Sequence, residues 1–376
     1  MPDERFSAPE LTAWTDTLFR SVGVQAAHAA AAARVLGAAD LQGIDSHGVA
    51  RLPAYVAMIE RGAVSVDGEP HIARRDGATA LVDARNVLGH AASEQAMDLA
   101  IELAGEHGTG WVATRNSNHY GIAGYYVKRA AEQGLIGLSG TNAGARVAPA
   151  GAARPFVGTN PLAMAAPTRT PPMFVLDMAT SAVSTGKFEI AARTGRPIVT
   201  GLGVDRDGNS TTDPNDIGAG GWMLPLGSTP EHSAHKGSGL ALMVEILSAL
   251  LAGGPYGPDV QNLLFASSED PPGVSHFFLA LDPARFGDPA AFTARVTEML
   301  NTVRDLPPSD PGTPVMTPGE PEWREELQRR TDGVPLVAPV VDALTALGDQ
   351  HGVPFPTATV EQGEVLAPTA GAEVTS

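Results

Sequence analysis

Apolar residues and alanines recur at helical spacing from Pro9 to Ala39, broken at Gly23, and predict two helices. A third helix is predicted from Val49 to Arg61, with Gly62 closing it. The run Ala78 to Asp83 reads as a strand, followed by a helix from Ala91 to Glu106 and a second strand at Gly110 to Thr114. A helix from Ile122 to Gln133 and a strand from Leu135 to Ser139 come next. Short apolar runs at Leu162 to Ala166 and Met173 to Met178 fit buried strands, and Thr180 or Ser181 can cap a helix that reaches Arg193. Thr200 to Pro230 is rich in turn residues and reads as a long loop. Gly237 to Leu251 is the most apolar helical stretch and is expected at the centre of the core. A strand at His276 to Leu281, a helix at Pro289 to Val303, a proline-rich loop from Leu306 to Pro321 and a helix at Pro339 to Gln350 complete the pattern. The tail beyond Pro356 is expected to fray, with residues 361–376 disordered.

Composition narrows the partners. At 376 residues with 43% hydrophobic positions, the chain can bury a large core. A formal charge of −17 argues against nucleic acid and anionic membrane, so any anion site must be locally basic. With no cysteine there is neither a disulfide framework nor a thiolate metal site. The charged start Met1-Pro2-Asp3-Glu4-Arg5 lacks an apolar signal region, and the expected location is the cytoplasm.

The densest chemistry lies in Gly43-Ile44-Asp45-Ser46-His47-Gly48-Val49-Ala50-Arg51. A histidine exchanges protons near neutrality, and an arginine one turn on can clamp a carboxylate. The competing reading is a helix start capped by Asp45 or Ser46, with Arg51 on a solvated face. A second histidine stands in Arg115-Asn116-Ser117-Asn118-His119-Tyr120-Gly121, between a strand end and a helix N-terminus suited to a phosphate or carboxylate. Thr159-Asn160 and Asp177 to Ser181 abut buried strands, where turn and cap formation is the simpler role. Gly186-Lys187 and Lys236-Gly237 set a cation beside a glycine. His232 and His235 could share a metal, which would make the chain a metal-dependent hydrolase, but no further ligand stands at recognisable spacing, and no metal is expected. Gly108-Thr109-Gly110-Trp111-Val112-Ala113 has the letters of a dinucleotide fingerprint, yet it ends a helix and enters a strand, the reverse of what that motif needs.

Taken together, Asp45 to Gly48, Asn116 to Tyr126, Gly158 to Pro161, Asp177 to Ser181 and His235-Lys236-Gly237 resemble the malate/L-lactate dehydrogenase family, over about Leu11 to Gly352. That group also holds sulfolactate and ureidoglycolate dehydrogenases, diketogulonate reductase and cyclic imino-acid reductases. The resemblance implies an α/β fold with a non-Rossmann NAD(P)-binding mixed-sheet domain (residues 76–289) and a helical substrate-side domain (1–75 with 290–360), paired as a homodimer. It implies hydride transfer between NAD or NADP and C2 of a 2-hydroxy or 2-oxo acid, with reduction of a cyclic imino acid as the alternative. By the same resemblance Ser46, His47 and His119 are the catalytic candidates: the two histidines compete for the acid/base role, His47 is favoured for it, and His119 then polarises the substrate oxygen or lies against the nicotinamide. Arg51, Tyr55, Thr159 and Asn160 are the substrate-side candidates. His119, Tyr120, Gly121, Ile122, Ala123, Asp177, Met178, Ala179, Lys236, Pro318, Gly319 and Glu320 are those for the cofactor. Two features depart from the family pattern: Lys187-Phe188 stands where imino-acid reductases carry an acidic relay residue, and Ser228 to Ala234 lengthens the link before His-Lys-Gly.

Overall fold

The computed structural model describes residues 4–261 and 270–359, so the expected tail at 361–376 lies outside the described residues. The chain opens with β1 (Glu4–Phe6), α1 (Ala8–Ser21), α2 (Ala26–Leu41) and α3 (Leu52–Glu60). It continues through β2 (His71–Asp76), β3 (Thr79–Asp83), α4 (Gly89–His107), β4 (Thr109–Ser117), α5 (Ala123–Ala131) and β5 (Ile136–Thr141). Next come β6 (Leu162–Ala166), β7 (Phe174–Met178), α6 (Thr185–Thr194), β8 (Gly203–Val204), β9 (Trp222–Met223) and α7 (Ala234–Glu245). The last elements are β10 (Val274–Leu281), α8 (Pro289–Arg304), α9 (Glu320–Asp332), β11 (Val334–Leu336) and α10 (Ala338–His351).

A seven-stranded sheet runs in the order β2-β3-β4-β10-β5-β6-β7. Only β3 and β4 pair in parallel and the other neighbours are antiparallel, so the sheet is mixed. Helices α4 and α5 cover one face, joining Met97, Leu103, Tyr126 and Val127 to Val112, Ala163 and Phe278 in one core. A second core collects Leu18 and Phe19 of α1, Leu36 of α2, Tyr55 and Val56 of α3 and Leu344 of α10. Helix α2 serves both: Leu36 packs among the helices, while Val35 and Ala39 pack against the sheet cluster. That double burial accounts for its alanine-rich, all-round apolar sequence.

Several expectations are corrected. The stretch expected as a core helix from Gly237 to Leu251 is α7 followed by a π-helical turn, Ile246–Leu250, and one face of it is open: Leu242, Ile246, Leu250 and Leu251 are exposed. The helix expected from Thr180 or Ser181 begins instead at Thr185, because Thr180 is held by Thr159 O and Asn160 O and Ser181 by Val183 O. The long loop from Thr200 to Pro230 contains the small β8–β9 pair. β1, β2, β11 and α9 lie where no element was expected. β2 is exposed throughout and α9 is largely charged, so neither shows an apolar period. Helix α8 meets the segment between β6 and β7, with Thr297 Oγ1 accepting from Arg169 N–H at 2.8 Å. Gly108 is a left-handed C-cap between α4 and β4, so the fingerprint letters there serve a helix end.

Candidate active site

The turn after α2 is held from three sides. Buried Asp40 accepts from Val49 N–H at 3.0 Å, and a Cβ on Gly48 would lie 1.7 Å from Asp40 Oδ1, so only glycine passes there. From α9, Arg329 donates to Asp40 O at 2.7 Å and also grips the Asp45 carboxylate. Asp45 is therefore a fastener of the turn and not part of a proton relay. Arg51 Nε donates to Ser46 O at 2.6 Å, and its terminal nitrogens pair with both Glu189 oxygens on α6, at 2.8 and 3.4 Å. The first turn of α6 rests directly on the loop, since a Cβ on Gly186 would lie 2.5 Å from Ser46 Cβ.

This scaffold presents His47, whose Nδ1 lies 2.9 Å from Ser46 Oγ. Opposite stands His119 from the segment after β4, its ring stacked on that of His47 with centroids 5.6 Å apart and planes 24° apart. His119 Nδ1 accepts from Tyr55 O–H at 2.6 Å and from Gly121 N–H at 3.3 Å. A backbone amide can only donate, so Nδ1 is the unprotonated nitrogen and Nε2 carries the hydrogen. Burial pushes the Tyr55 phenol well above its ordinary range, which keeps it a donor. Burial, with the neighbouring His47 and His90, holds His119 well below the usual histidine range. Burial and then the Arg51 charge lower His47 to about 4.

The two imidazoles line a cavity of about 110 Å³ together with Arg51, Tyr55, Arg146 and Thr159. Arg146 and Glu189 were not singled out in the sequence. Arg146 lies in a glycine- and alanine-rich loop without a motif, and only the fold brings Glu189 to Arg51. Asn160, by contrast, is fully buried: its Oδ1 accepts from Ala143 N–H, and its Nδ2 donates to Ala241 O and Glu245 at 3.1 and 3.0 Å. Its side chain braces the cavity loop from behind, and of the Thr159-Asn160 pair only Thr159 reaches the cavity.

A second cavity, of about 480 Å³, opens where α5 begins. Asp177, Pro318, Gly319, Gly124, Lys128 and Trp323 are among its walls. Asp177 Oδ2 accepts from Gly124 N–H at 2.6 Å, and Pro318 O accepts from Val175 N–H at 3.1 Å, which lays the 317–319 segment along β7. Tyr120 is buried and stacked on His276 at 4.6 Å, and Ile122 and Ala123 belong to the sheet core, so these three offer backbone rather than side chains. Met178 and Ala179 are partly buried where β7 ends. Lys236 is exposed on the first turn of α7 and is not part of either cavity wall. The Glu320 side chain is turned away from the cavity. Burial would raise its pKa, but Arg304 and Arg324, each at 2.7 Å, and Thr317 N–H hold it down at about 2. It joins α8 to α9 and is not available to a cofactor.

His232 and His235 are both exposed, and His232 Nδ1 lies 3.1 Å from Thr229 Oγ1 in the lengthened link. Among the described residues no three His, Cys, Asp or Glu side chains converge as a metal set. No helix of the described residues is long and apolar enough to cross a membrane.

The mixed-sheet α/β fold thus sets facing imidazoles and two guanidiniums at a small cavity, beside a larger cleft where α5 begins. The chain belongs to the malate/L-lactate dehydrogenase family, whose profile matches residues 6–345. A malate dehydrogenase of Pyrococcus horikoshii is 40% identical over 316 residues, 84% of this chain and 86% of that protein. An NADP(+)-dependent (2R)-3-sulfolactate dehydrogenase of Chromohalobacter salexigens is 40% identical over 268 residues, 71% of this chain and 78% of its own. The crystal structure of malate dehydrogenase from Entamoeba histolytica superimposes with a TM-score of 0.90 at 31% identity, covering 94% of this chain and all of that one.

Proposed function

We propose that this chain is an NAD(P)-dependent oxidoreductase that interconverts a 2-hydroxy acid and its 2-oxo acid, with His47 as the acid/base. The observation that carries this reading is the pair of histidines in unlike states. His119, locked with hydrogen on Nε2, can donate a hydrogen bond to a substrate oxygen but cannot take its proton. His47, neutral down to about pH 4, can accept one.

The cleft at the start of α5 fits a dinucleotide. Backbone N–H groups of a helix N-terminus suit phosphates, and the segment His119 to Ala123 runs from the small cavity to that cleft. Asp177, Pro318 and Gly319 wall the cleft and would hold the cofactor. When bound, the nicotinamide supplies or takes up the hydride. Arg51 and Arg146 give the small cavity the positive charge that a carboxylate requires in an otherwise acidic protein. On oxidation, His47 removes the hydroxyl proton while His119 Nε2–H steadies the oxygen, and on reduction His47 returns the proton. Reduction of a cyclic imino acid is the lesser reading, because Phe188 is buried and Glu189 is turned to Arg51 rather than to Ser46 or His47.

The exposed apolar face of Leu242, Ile246, Leu250 and Leu251 supports a homodimer closed over α7. A panel of 2-oxo acids followed at the NADH and NADPH absorbance tests the activity. Oxidation of either cofactor with a 2-oxo acid supports the reading and shows which dinucleotide is used. Oxidation with pyrroline- or piperideine-carboxylate alone would replace it with the imine reading.

A further inference from the structure

Behind the two facing histidines stands a third imidazole that the chemistry above does not use. His90, in the first turn of α4, is fully buried, and neither of its ring nitrogens has a hydrogen-bond partner among the described residues. Burial lowers its pKa to about 3, so the ring is neutral near neutral pH and brings no charge to the site. It belongs to neither cavity wall. What it touches are the two donors that fix His119. The His90 ring stands edge-to-face with Tyr55, with centroids 5.0 Å apart and planes at 75°. Tyr55 O–H is the first donor to His119 Nδ1. Gly121 N–H is the second, and that glycine lies close against His90: a Cβ there would sit 3.3 Å from His90 Cδ2 and 2.7 Å from Val35 Cγ1. Helix α4 is itself seated on the same segment, because a Cβ on Gly89 would lie 2.1 Å from Asn118 O and 2.5 Å from His119 O.

We infer that His90 is a positioning residue for His119: packed against Tyr55 and Gly121, its ring keeps both donors aimed at Nδ1 and so keeps the hydrogen of His119 on Nε2. This rests on the acid/base reading above. Without the ring, the Tyr55 side chain can turn and the segment from His119 to Gly121 can move toward the space left. Either motion loosens a donor. A loosened donor lets the hydrogen pass to Nδ1, and the nitrogen that would donate to a substrate oxygen then becomes an acceptor. A displacement of this size is enough to slow a reaction that depends on a preset hydrogen bond.

The test uses the full-length protein with isotope-labelled histidine and three readouts. Two-bond proton–nitrogen NMR spectra report the His119 tautomer, its signal assigned by its loss in His119→Asn. Steady-state kinetics give kcat and KM with the best 2-oxo acid of the panel, and thermal unfolding gives Tm. His90→Ala is expected to turn the single Nε2–H signature of His119 into a mixture of tautomers. It should lower kcat roughly 3- to 10-fold, about what one aromatic pair contributes, with KM for cofactor and 2-oxo acid little changed. His90→Leu fills similar space without ring nitrogens and should restore the signature and most of kcat, because the ring acts by contact. If His90→Ala does not fold, His90→Val removes less volume and carries the same expectation. The inference is overturned if the folded small-residue variant melts earlier but keeps the wild-type His119 spectrum and kcat, as a mere core filler would. It is also overturned if His90→Leu is as impaired as His90→Ala, since the ring nitrogens would then be what matters. If the wild-type protein turns over no 2-oxo acid while His90→Ala still mixes the His119 tautomers, the dehydrogenase reading fails and the positioning role stands.

Discussion

The Tyr55 hydroxyl lies 2.6 Å from His119 Nδ1 and donates to it, which leaves Nε2 as the ring nitrogen that carries the hydrogen. Tyr55 stood among the substrate-side candidates, but its polar atom is turned to the histidine. Tyr55→Phe removes one of two donors on Nδ1 and leaves Gly121 N–H in place. Losing one buried hydrogen bond costs about 1–3 kcal/mol, so kcat should fall roughly 5- to 150-fold with little change in cofactor KM. Steady-state kinetics with both substrates varied checks this.

Gly48 marks the closest approach in the loop. Gly48→Ala would drive a methyl group into the Asp40 carboxylate, which accepts Val49 N–H. Overpacking of this kind costs about 1–3 kcal/mol, and the displaced turn carries His47. The variant should melt at a lower temperature and lose activity together, measured by calorimetry and assay on one preparation.

Glu189 compensates Arg51 at a site where the two side chains are only 15% and 25% exposed. Removing the carboxylate in Glu189→Gln leaves a partly buried cation with a weaker partner. A charge-assisted hydrogen bond is worth about 1.5–3 kcal/mol before solvent screening, so denaturant unfolding should show a loss at or below the low end of that range. An unchanged midpoint would mean the pair adds no stability.

The pH profile follows from the lowered pKa of His47. Burial and Arg51 disfavour its protonated form, so it stays a competent base far below the usual histidine range. For the oxidation direction, kcat/KM should be level from about pH 7 to about 5 and fall tenfold per unit below about 4. For reduction, which needs the protonated form, it should rise as pH falls toward that value. In stability terms, the depressed pKa contributes above the unfolded value of 6.5, and that contribution is lost as pH falls toward about 4.

Much of this was legible in the chain before it was folded. Most helices and sheet strands follow the apolar period, and the motif order pointed to the family; Ser46, His47 and His119, named with it, lie together in the fold. What stayed hidden depends on tertiary pairing. Arg329 lies in a helix with no apolar stripe, yet it fastens Asp45 across the fold. Arg146 sits in a loop with no motif, and Glu189 meets Arg51 138 positions away. Asn160 and Glu320 read as polar site residues because the sequence does not show that their partners, Glu245 and Arg304, use up their hydrogen-bonding groups inside the protein. The outward face of α7 and the turn after it misled for a related reason: an apolar stripe reads the same in the sequence whether it meets the core or stays at the surface.

The division of labour between the two histidines is tested most directly by the pH dependence of kcat/KM for oxidation in His47→Asn and His119→Asn. If His47 takes the proton, the acid limb near pH 4 persists in His119→Asn at a reduced rate and vanishes from the residual activity of His47→Asn. A limb that survives in His47→Asn and disappears in His119→Asn would contradict the account.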